Sequence, residues 1–167
     1  MISVIIVNYH SASLTERAVR SVFSDSEDVE VIIADNTAAE EERRRLRELS
    51  AAYPLTLIFN QDNAGFARAN NQAFSVAKGE YLLLLNPDAC IVPPCLGALK
   101  AFMESTPSAG AVSPMVYWDD RMTFFFPHYP FPSPFDDLCT KMSGLSGIFR
   151  TLYTLHERRK NLDLWRS

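Results

Sequence analysis

A chain of 167 residues with 16 basic and 20 acidic side chains, net charge −4, is a poor candidate for coating nucleic acid, where neutralised phosphates supply most of the affinity. Hydrophobic residues at 47% and charged residues at 22% match soluble globular domains and exclude wholesale disorder, leaving one unit of ordinary domain size. No apolar stretch reaches the roughly 18 residues of a membrane span, Met1 to Val7 lacks a signal peptide's basic lead, and Cys90, Cys95 and Cys139 make neither a CxxC pair nor an even disulfide set, so a reduced, cytoplasmic protein is expected.

Residues 2 to 7, ISVIIV, are a continuous apolar run rich in β-branched side chains, which predicts a strand buried on both faces and ending at Asn8-Tyr9. Leu14, Ala18, Val19, Val22 and Phe23 then recur at helical spacing, with Ser11 or Ser13 as N-cap. Val29 to Ala34 repeats the strand pattern and ends at Asp35-Asn36. Ala38 to Ala52 reads as a charged helix, Glu40-Glu41-Glu42 at the positive end of its dipole and Arg43-Arg44-Arg45 following, a run that reads as a solvated face. Pro54 to Phe59 is a third strand, Phe66 to Ala77 a third helix, Glu80 to Leu85 a fourth strand, Pro94 to Ser105 a fourth helix and Ala109 to Tyr117 a fifth strand.

Strands alternating with helices predict an α/β domain: a mostly parallel, Rossmann-like sheet with flanking helices and right-handed crossovers. Ligands in such sheets bind beyond the carboxyl ends of the strands, near the point where strand order reverses. Polar residues end each run: Asn8, then Asp35, then Asn60 and Asp62, then Asn86 and Asp88. In an order of 3-2-1-4 these groups share one edge. Singly, each Asn or Asp also suits an ordinary turn that bonds its own backbone. A dinucleotide-binding protein is disfavoured because no GxGxxG follows the first strand.

The stretches SVIIVNYHS, VIIADN and NQDNAGFARANNQAFSVAKGEYLLLLNPD, in that order and spacing, resemble the N-terminal half of the family 2 inverting glycosyltransferases of the GT-A fold, particularly the branch that includes rhamnosyltransferases. The resemblance runs from Ile2 to about Tyr117 and implies a nucleotide-sugar-binding α/β domain over residues 1–117. Residues 118–167 follow as an aromatic, proline-rich loop and helical tail of the same unit, leaving the fold truncated on the acceptor side. It also implies that Val7, Asn8 and Tyr9 lie against the nucleotide base, and that Asp35 contacts base or ribose. By the same resemblance Asn63, Gly65, Arg68 and Asn71 line the nucleotide, Asn86-Pro87-Asp88 stands for the family's DxD-type signature, and Asp88 is the metal ligand. The implied donor is a nucleoside diphosphate sugar, linked to dTDP, UDP or GDP. The implied acceptor is a saccharide or a lipid-linked group, in cell-surface polysaccharide or glycolipid synthesis.

The chemistry suits that assignment. Charge grows on the diphosphate as the glycosidic bond breaks, and a divalent cation, Mg²⁺ or Mn²⁺, stabilises it through hard oxygen ligands such as a carboxylate. Pro87 cannot extend a strand and fixes its own φ, so it both ends the run and presents Asp88. Inversion also requires a base to deprotonate the acceptor hydroxyl. Relatives carry it in a later acidic pair after a Gly-rich stretch; Asp119-Asp120 and Asp136-Asp137 lack that setting, and the catalytic base is unassigned. The alternative is a non-catalytic nucleotide- or protein-binding module derived from the same fold. His10, His128 and His156 share no motif. Beyond Pro134, Leu138, Met142, Leu145, Ile148, Phe149, Leu152 and Leu155 suggest a helix ending in basic residues, which either packs on the protein or lies on the inner face of a membrane.

Overall fold

The computed structural model of the chain describes residues 1–26, 28–119 and 121–125. In chain order the elements are β1 (Ile2–Asn8), α1 (Ala12–Asp25), β2 (Val29–Asp35), α2 (Glu40–Ala52), β3 (Leu55–Phe59), α3 (Phe66–Phe74), β4 (Tyr81–Leu84) and α4 (Cys95–Ser105). All ladders are parallel and the strand order is β3-β2-β1-β4. The predicted alternation and order both hold.

Side chains alternate between the two faces of the sheet, which sets where each helix packs. Ile2, Val4 and Ile6 of β1 with Val31 and Ile33 of β2 form one core with Ala18, Val19 and Val22 of α1, Leu46 and Leu49 of α2, and Leu96 of α4. Ile5 and Ile32 meet Ala73 of α3 on the opposite face, and Val7 and Ala34 meet Ala69. Each fully buried aliphatic side chain contributes about 1.5–3 kcal/mol, so β1 and β2 carry most of the apolar stabilisation. The two cysteines among the described residues are free thiols; Cys90 is exposed, and Cys95 has its thiol pKa raised by burial and by nearby Asp25.

The predicted fifth strand does not form. Over residues 109–117 the backbone is irregular, and only Tyr117 bridges another segment, antiparallel to Phe125. Gly110 and Pro114 interrupt the run, and a proline removes a ladder donor from a strand interior. The third helix is also shorter than predicted: after Phe74, Val76 and Ala77 donate to the carbonyls of Ala73 and Phe74 in a tight terminal turn. Two compact units are present, Met1–Pro114 and Met115–Ser167. Of the loop expected over residues 118–134, residues 118, 119 and 121–125 are described. The helix expected beyond Pro134, together with Cys139, His128, His156, Asp120, Asp136 and Asp137, lies outside the described residues. Among the described residues no helix is long and apolar enough to cross a membrane.

At the amino ends of the strands a single carboxylate ties three segments together. Glu30 Oε1 accepts from Ser3 Oγ at 2.5 Å, from the Lys78 amide at 2.5 Å and from the Gly79 amide at 3.1 Å, while the Gly79 amide also donates to Ser3 Oγ at 2.7 Å. A Cβ on residue 79 would stand 2.5 Å from Ser3 N and Oγ, so this approach of the α3–β4 connection to β1 demands glycine. Partial burial pushes the Glu30 carboxyl up, but the hydrogen bonds from Ser3, Lys78 and Gly79 outweigh it and hold it below the usual carboxylate range. A carboxyl held low in the folded state stabilises the protein above the unfolded pKa of about 4.3, and that stabilisation is lost as pH falls through the lower folded value. Urea unfolding between pH 7 and pH 3 should therefore show Glu30→Gln losing less stability on acidification than the parent. Parallel curves would remove Glu30 from that role.

Candidate functional site

Where β1 and β2 end side by side, Asn8 pairs in register with Asp35, and both side chains are fully buried. The Asn8 amide Nδ2 donates to Asp35 Oδ1 at 2.8 Å and lies 3.3 Å from Thr37 Oγ1 and 3.4 Å from Glu42 Oε2. Its Oδ1 accepts from Ser11 Oγ at 2.9 Å and Thr15 Oγ1 at 3.0 Å. These bonds fill the amide's capacity of two donors and two lone pairs. Asn8, expected against a nucleotide base, is buried in the floor of the edge. Ser11 occupies the N-cap position of α1 and its carbonyl accepts the Leu14 and Thr15 amides, but its side chain makes no capping bond, because its hydroxyl donates to Asn8 Oδ1. The helix end is capped from elsewhere: Glu42 Oε2 on α2 accepts the Ala12 amide at 2.9 Å.

Asp35 is equally committed. Its Oδ1 also accepts the Thr37 amide at 3.1 Å, and Arg43 Nε stands 3.8 Å from Oδ2. Arg43 Nη2 donates to the Asn60 carbonyl at 2.5 Å, at the end of β3. The Asn60 amide pairs with Asn36 Oδ1 at 2.8 Å and both ways with the Gln72 amide of α3, at 2.9 and 3.0 Å. Asn36 Nδ2 in turn reaches the Gly65 carbonyl at 3.4 Å.

Sequence reasoning placed Asn60 at this edge but missed Thr37, Glu42, Arg43 and Gln72 as parts of this frame. A signal existed for two of them. Glu42 and Arg43 precede the buried Leu46 by four and three residues, so they lie on the stripe of α2 that faces the protein. The charge run thus divides. Glu40, Glu41, Arg44, Arg45, Arg47 and Glu48 pair with one another on an exposed face, as expected of a solvated helix, while Glu42 and Arg43 turn inward.

Around this buried frame stands an exposed rim. Val7 ends the apolar part of β1 with 9% exposure, and Tyr9 follows with 50%, packed edge-on against His10. His10 adopts a left-handed backbone, and its amide donates to Thr37 Oγ1 at 2.8 Å, so the turn after β1 is locked to the turn after β2. Asn63 Oδ1 accepts the Gly65 amide at 3.0 Å in an Asx turn. Gly65 then takes φ +78° at the head of α3 with open space where a Cβ would stand, and glycine enters this region at no steric cost. Arg68 and Asn71 are exposed on α3, whereas their neighbours Ala69 and Asn70 are buried.

The fourth strand leaves the ladder opposite Ile5, so Asn86-Pro87-Asp88 departs beside the end of β1. Asn86 and Asp88 are exposed, and the Ala89 amide donates to the Asn86 carbonyl at 3.1 Å, closing a turn with Pro87 inside it. Nothing among the described residues bonds the Asp88 carboxylate. Among those residues no group of three His, Cys, Asp or Glu side chains could hold a metal. A single exposed carboxylate such as Asp88 could supply one ligand to a hard cation such as Mg²⁺ or Mn²⁺. Asp119 spends its carboxylate on its own turn: it accepts the Thr123 hydroxyl at 2.6 Å and the amides of Thr123 and Phe124, and these bonds hold its pKa low.

The family model for glycosyl transferase family 2 matches residues 3–163. The chain belongs to that family. It is 30% identical over 109 residues to an uncharacterised glycosyltransferase of Haemophilus influenzae, a match covering 65% of this chain and 36% of that protein. A chondroitin synthase of Pasteurella multocida is 29% identical over 106 residues, 62% of this chain and 11% of the synthase. The chain thus spans about a third or less of these relatives. Its fold is that of a mannosyltransferase from Pyrobaculum calidifontis solved with GDP-Man and Mn²⁺, at TM-score 0.57 and 22% identity, over 70% of this chain and 33% of that one. It also matches S. aureus TarS solved with UDP, at TM-score 0.57 and 18% identity, over 71% of this chain and 39% of that one. The expected GT-A architecture holds for this family 2 domain.

The inward half of the charge run makes a measurable distinction. Glu42→Ala removes the acceptor at the start of α1 and a neighbour of Asn8, and should lower unfolding free energy by about 1–2 kcal/mol, the usual cost of a lost cap. Glu41→Ala, one residue away on the exposed face, should leave stability nearly unchanged. Equal effects in urea unfolding would contradict the division.

Proposed function

We propose that this family 2 domain binds the nucleoside diphosphate sugar of an inverting, metal-dependent transfer to an acceptor hydroxyl, in cell-surface polysaccharide or glycolipid synthesis. The observation that carries the reading is Asp88: an exposed carboxylate without a partner among the described residues, on the turn that leaves β4 beside the end of β1. The neighbouring structures with GDP-Man and Mn²⁺ and with UDP support a nucleotide-sugar ligand.

In this reading Tyr9 offers its exposed ring to the base, and Asn63, Gly65 and Asn71 border the nucleoside. The Arg68 guanidinium lies on the same rim to offset diphosphate charge. Asp88 holds the divalent cation jointly with the diphosphate oxygens. When bound, that cation stabilises the charge growing on the leaving diphosphate as the acceptor oxygen attacks the anomeric carbon. Asp35 acts on the base or ribose from beneath, through a carboxylate whose direction is fixed by Asn8 and Thr37. The rigid frame keeps these groups in place before ligand arrives, which lowers the ordering cost of binding. The base that takes the proton of the acceptor hydroxyl is unassigned.

Asp88→Asn keeps the size and turn-forming capacity of the residue and removes its charge. Calorimetry with UDP, GDP and dTDP, in Mn²⁺ and in chelator, should show the parent binding more tightly with metal. The variant should lose that difference by at least the roughly 10- to 100-fold that even supporting groups around a metal cost. Parental affinity of Asp88→Asn in Mn²⁺ would show that Asn86-Pro87-Asp88 is only a way to leave a strand.

A further inference from the structure

Two buried polar atoms at the head of the sheet face each other without a hydrogen bond among the described residues: Asp35 Oδ2 and Arg43 Nε, 3.8 Å apart. A direct N–H···O bond needs about 3 Å, and burying either group unsatisfied is costly. Both side chains are held back by other partners. Asp35 Oδ1 is fixed by the Asn8 amide and the Thr37 N–H. The Arg43 guanidinium is fixed by the Asn60 carbonyl at 2.5 Å and lies 5.4 Å from the centre of the Phe59 ring. The cation therefore compensates the buried carboxylate by charge while leaving one carboxylate oxygen with no donor.

From this geometry we infer that Arg43 is a positioning residue for the nucleoside half of the site. It keeps Asp35 aimed, with Oδ2 left to accept an N–H or O–H of the base or ribose. The inference rests on the nucleotide-sugar reading and adds to it a residue of α2 that touches no phosphate and no metal. With side-chain exposures of 1% for Asp35 and 22% for Arg43, the guanidinium is the more exposed member of the pair, and the inference requires a donor to reach Oδ2 past it. Arginine suits this task because its planar fork can hold a carbonyl with one nitrogen, lie on an aromatic face and still present charge to a carboxylate.

The test is calorimetry on the full chain with two probes: UDP, GDP and dTDP in Mn²⁺, and inorganic pyrophosphate in Mn²⁺, which engages only the metal and phosphate half. Arg43→Met should weaken nucleoside diphosphate binding about tenfold, in the range of coupling between contacting groups, and leave pyrophosphate binding as in the parent. Arg43→Lys, which keeps the charge, should recover much of the loss. Because Arg43 acts through Asp35, Arg43→Met combined with Asp35→Asn should bind no more weakly than Asp35→Asn alone. A purely structural role would lower the melting temperature with nucleotide affinity unchanged, and a mere cover over Asp35 would give tighter binding on truncation; either result overturns the inference, as does additivity in the double variant. If Arg43→Met does not fold, the same cycle run with Arg43→Gln decides it. A parent that binds no nucleoside diphosphate would instead remove the nucleotide-sugar reading beneath it.

Discussion

The side chain of Asn8 is the joint on which the rest of the site depends. It sits at the last residue of β1 with no exposure, and its two polar atoms reach β2, α1 and α2 at once. A buried amide of this kind stabilises only when every donor and acceptor is answered, and that requirement fixes its neighbours' identities: a carboxylate at 35, hydroxyls at 11 and 15, and acceptors from Thr37 and Glu42. An aliphatic residue at position 8 would continue the strand equally well but would leave five polar side chains without this partner. The polar end of β1 is therefore part of the packing and not an exposed contact.

From that joint the frame spreads along the edge of the sheet. Asp35 passes the constraint to Arg43, Arg43 to the Asn60 carbonyl, and Asn60 to Asn36 and Gln72, so the ends of three strands and the first turn of α3 are held by one continuous set of bonds. The two ends of the sheet are thereby given different characters. At the amino end the Glu30 clamp draws Ser3, Lys78 and Gly79 into close contact. At the carboxyl end the bonds run beneath the surface and leave Tyr9, Arg68, Asn71, Asn86 and Asp88 in solvent above a hydrogen-bonded floor. That is the arrangement a preorganised binding surface needs.

Much of this was legible in the sequence, because continuous β-branched runs and the 3.6-residue apolar spacing report burial directly. β1, β2, α1 and the order of the strands followed from them, as did the gathering of polar residues at one edge. The fifth strand was misread because Ala109 to Tyr117 has strand composition, but Gly110 and Pro114 decide its backbone. The burial of Asn8 and Asp35 was not legible, since a residue name at a strand end does not say how much of its side chain is taken up by partners from other elements. Glu42 and Arg43 were hidden by their neighbours. A block of six charges reads as one solvated face unless the position of Leu46 is used to divide it, and the partners that draw those two inward lie on other elements, far off in sequence.

The claim that the carboxyl edge of the sheet is a nucleotide-sugar surface is tested most directly by backbone NMR of the full chain titrated with UDP, GDP and dTDP in the presence of Mg²⁺. Amide shifts should concentrate at Tyr9, Thr37, Gly65, Arg68 and Asp88, with Ser3, Glu30 and Gly79 at the opposite edge unmoved. Shifts confined to the cleft between β4 and α4, around Leu82, Leu99 and Val112, or spread without regard to the two edges, would contradict it.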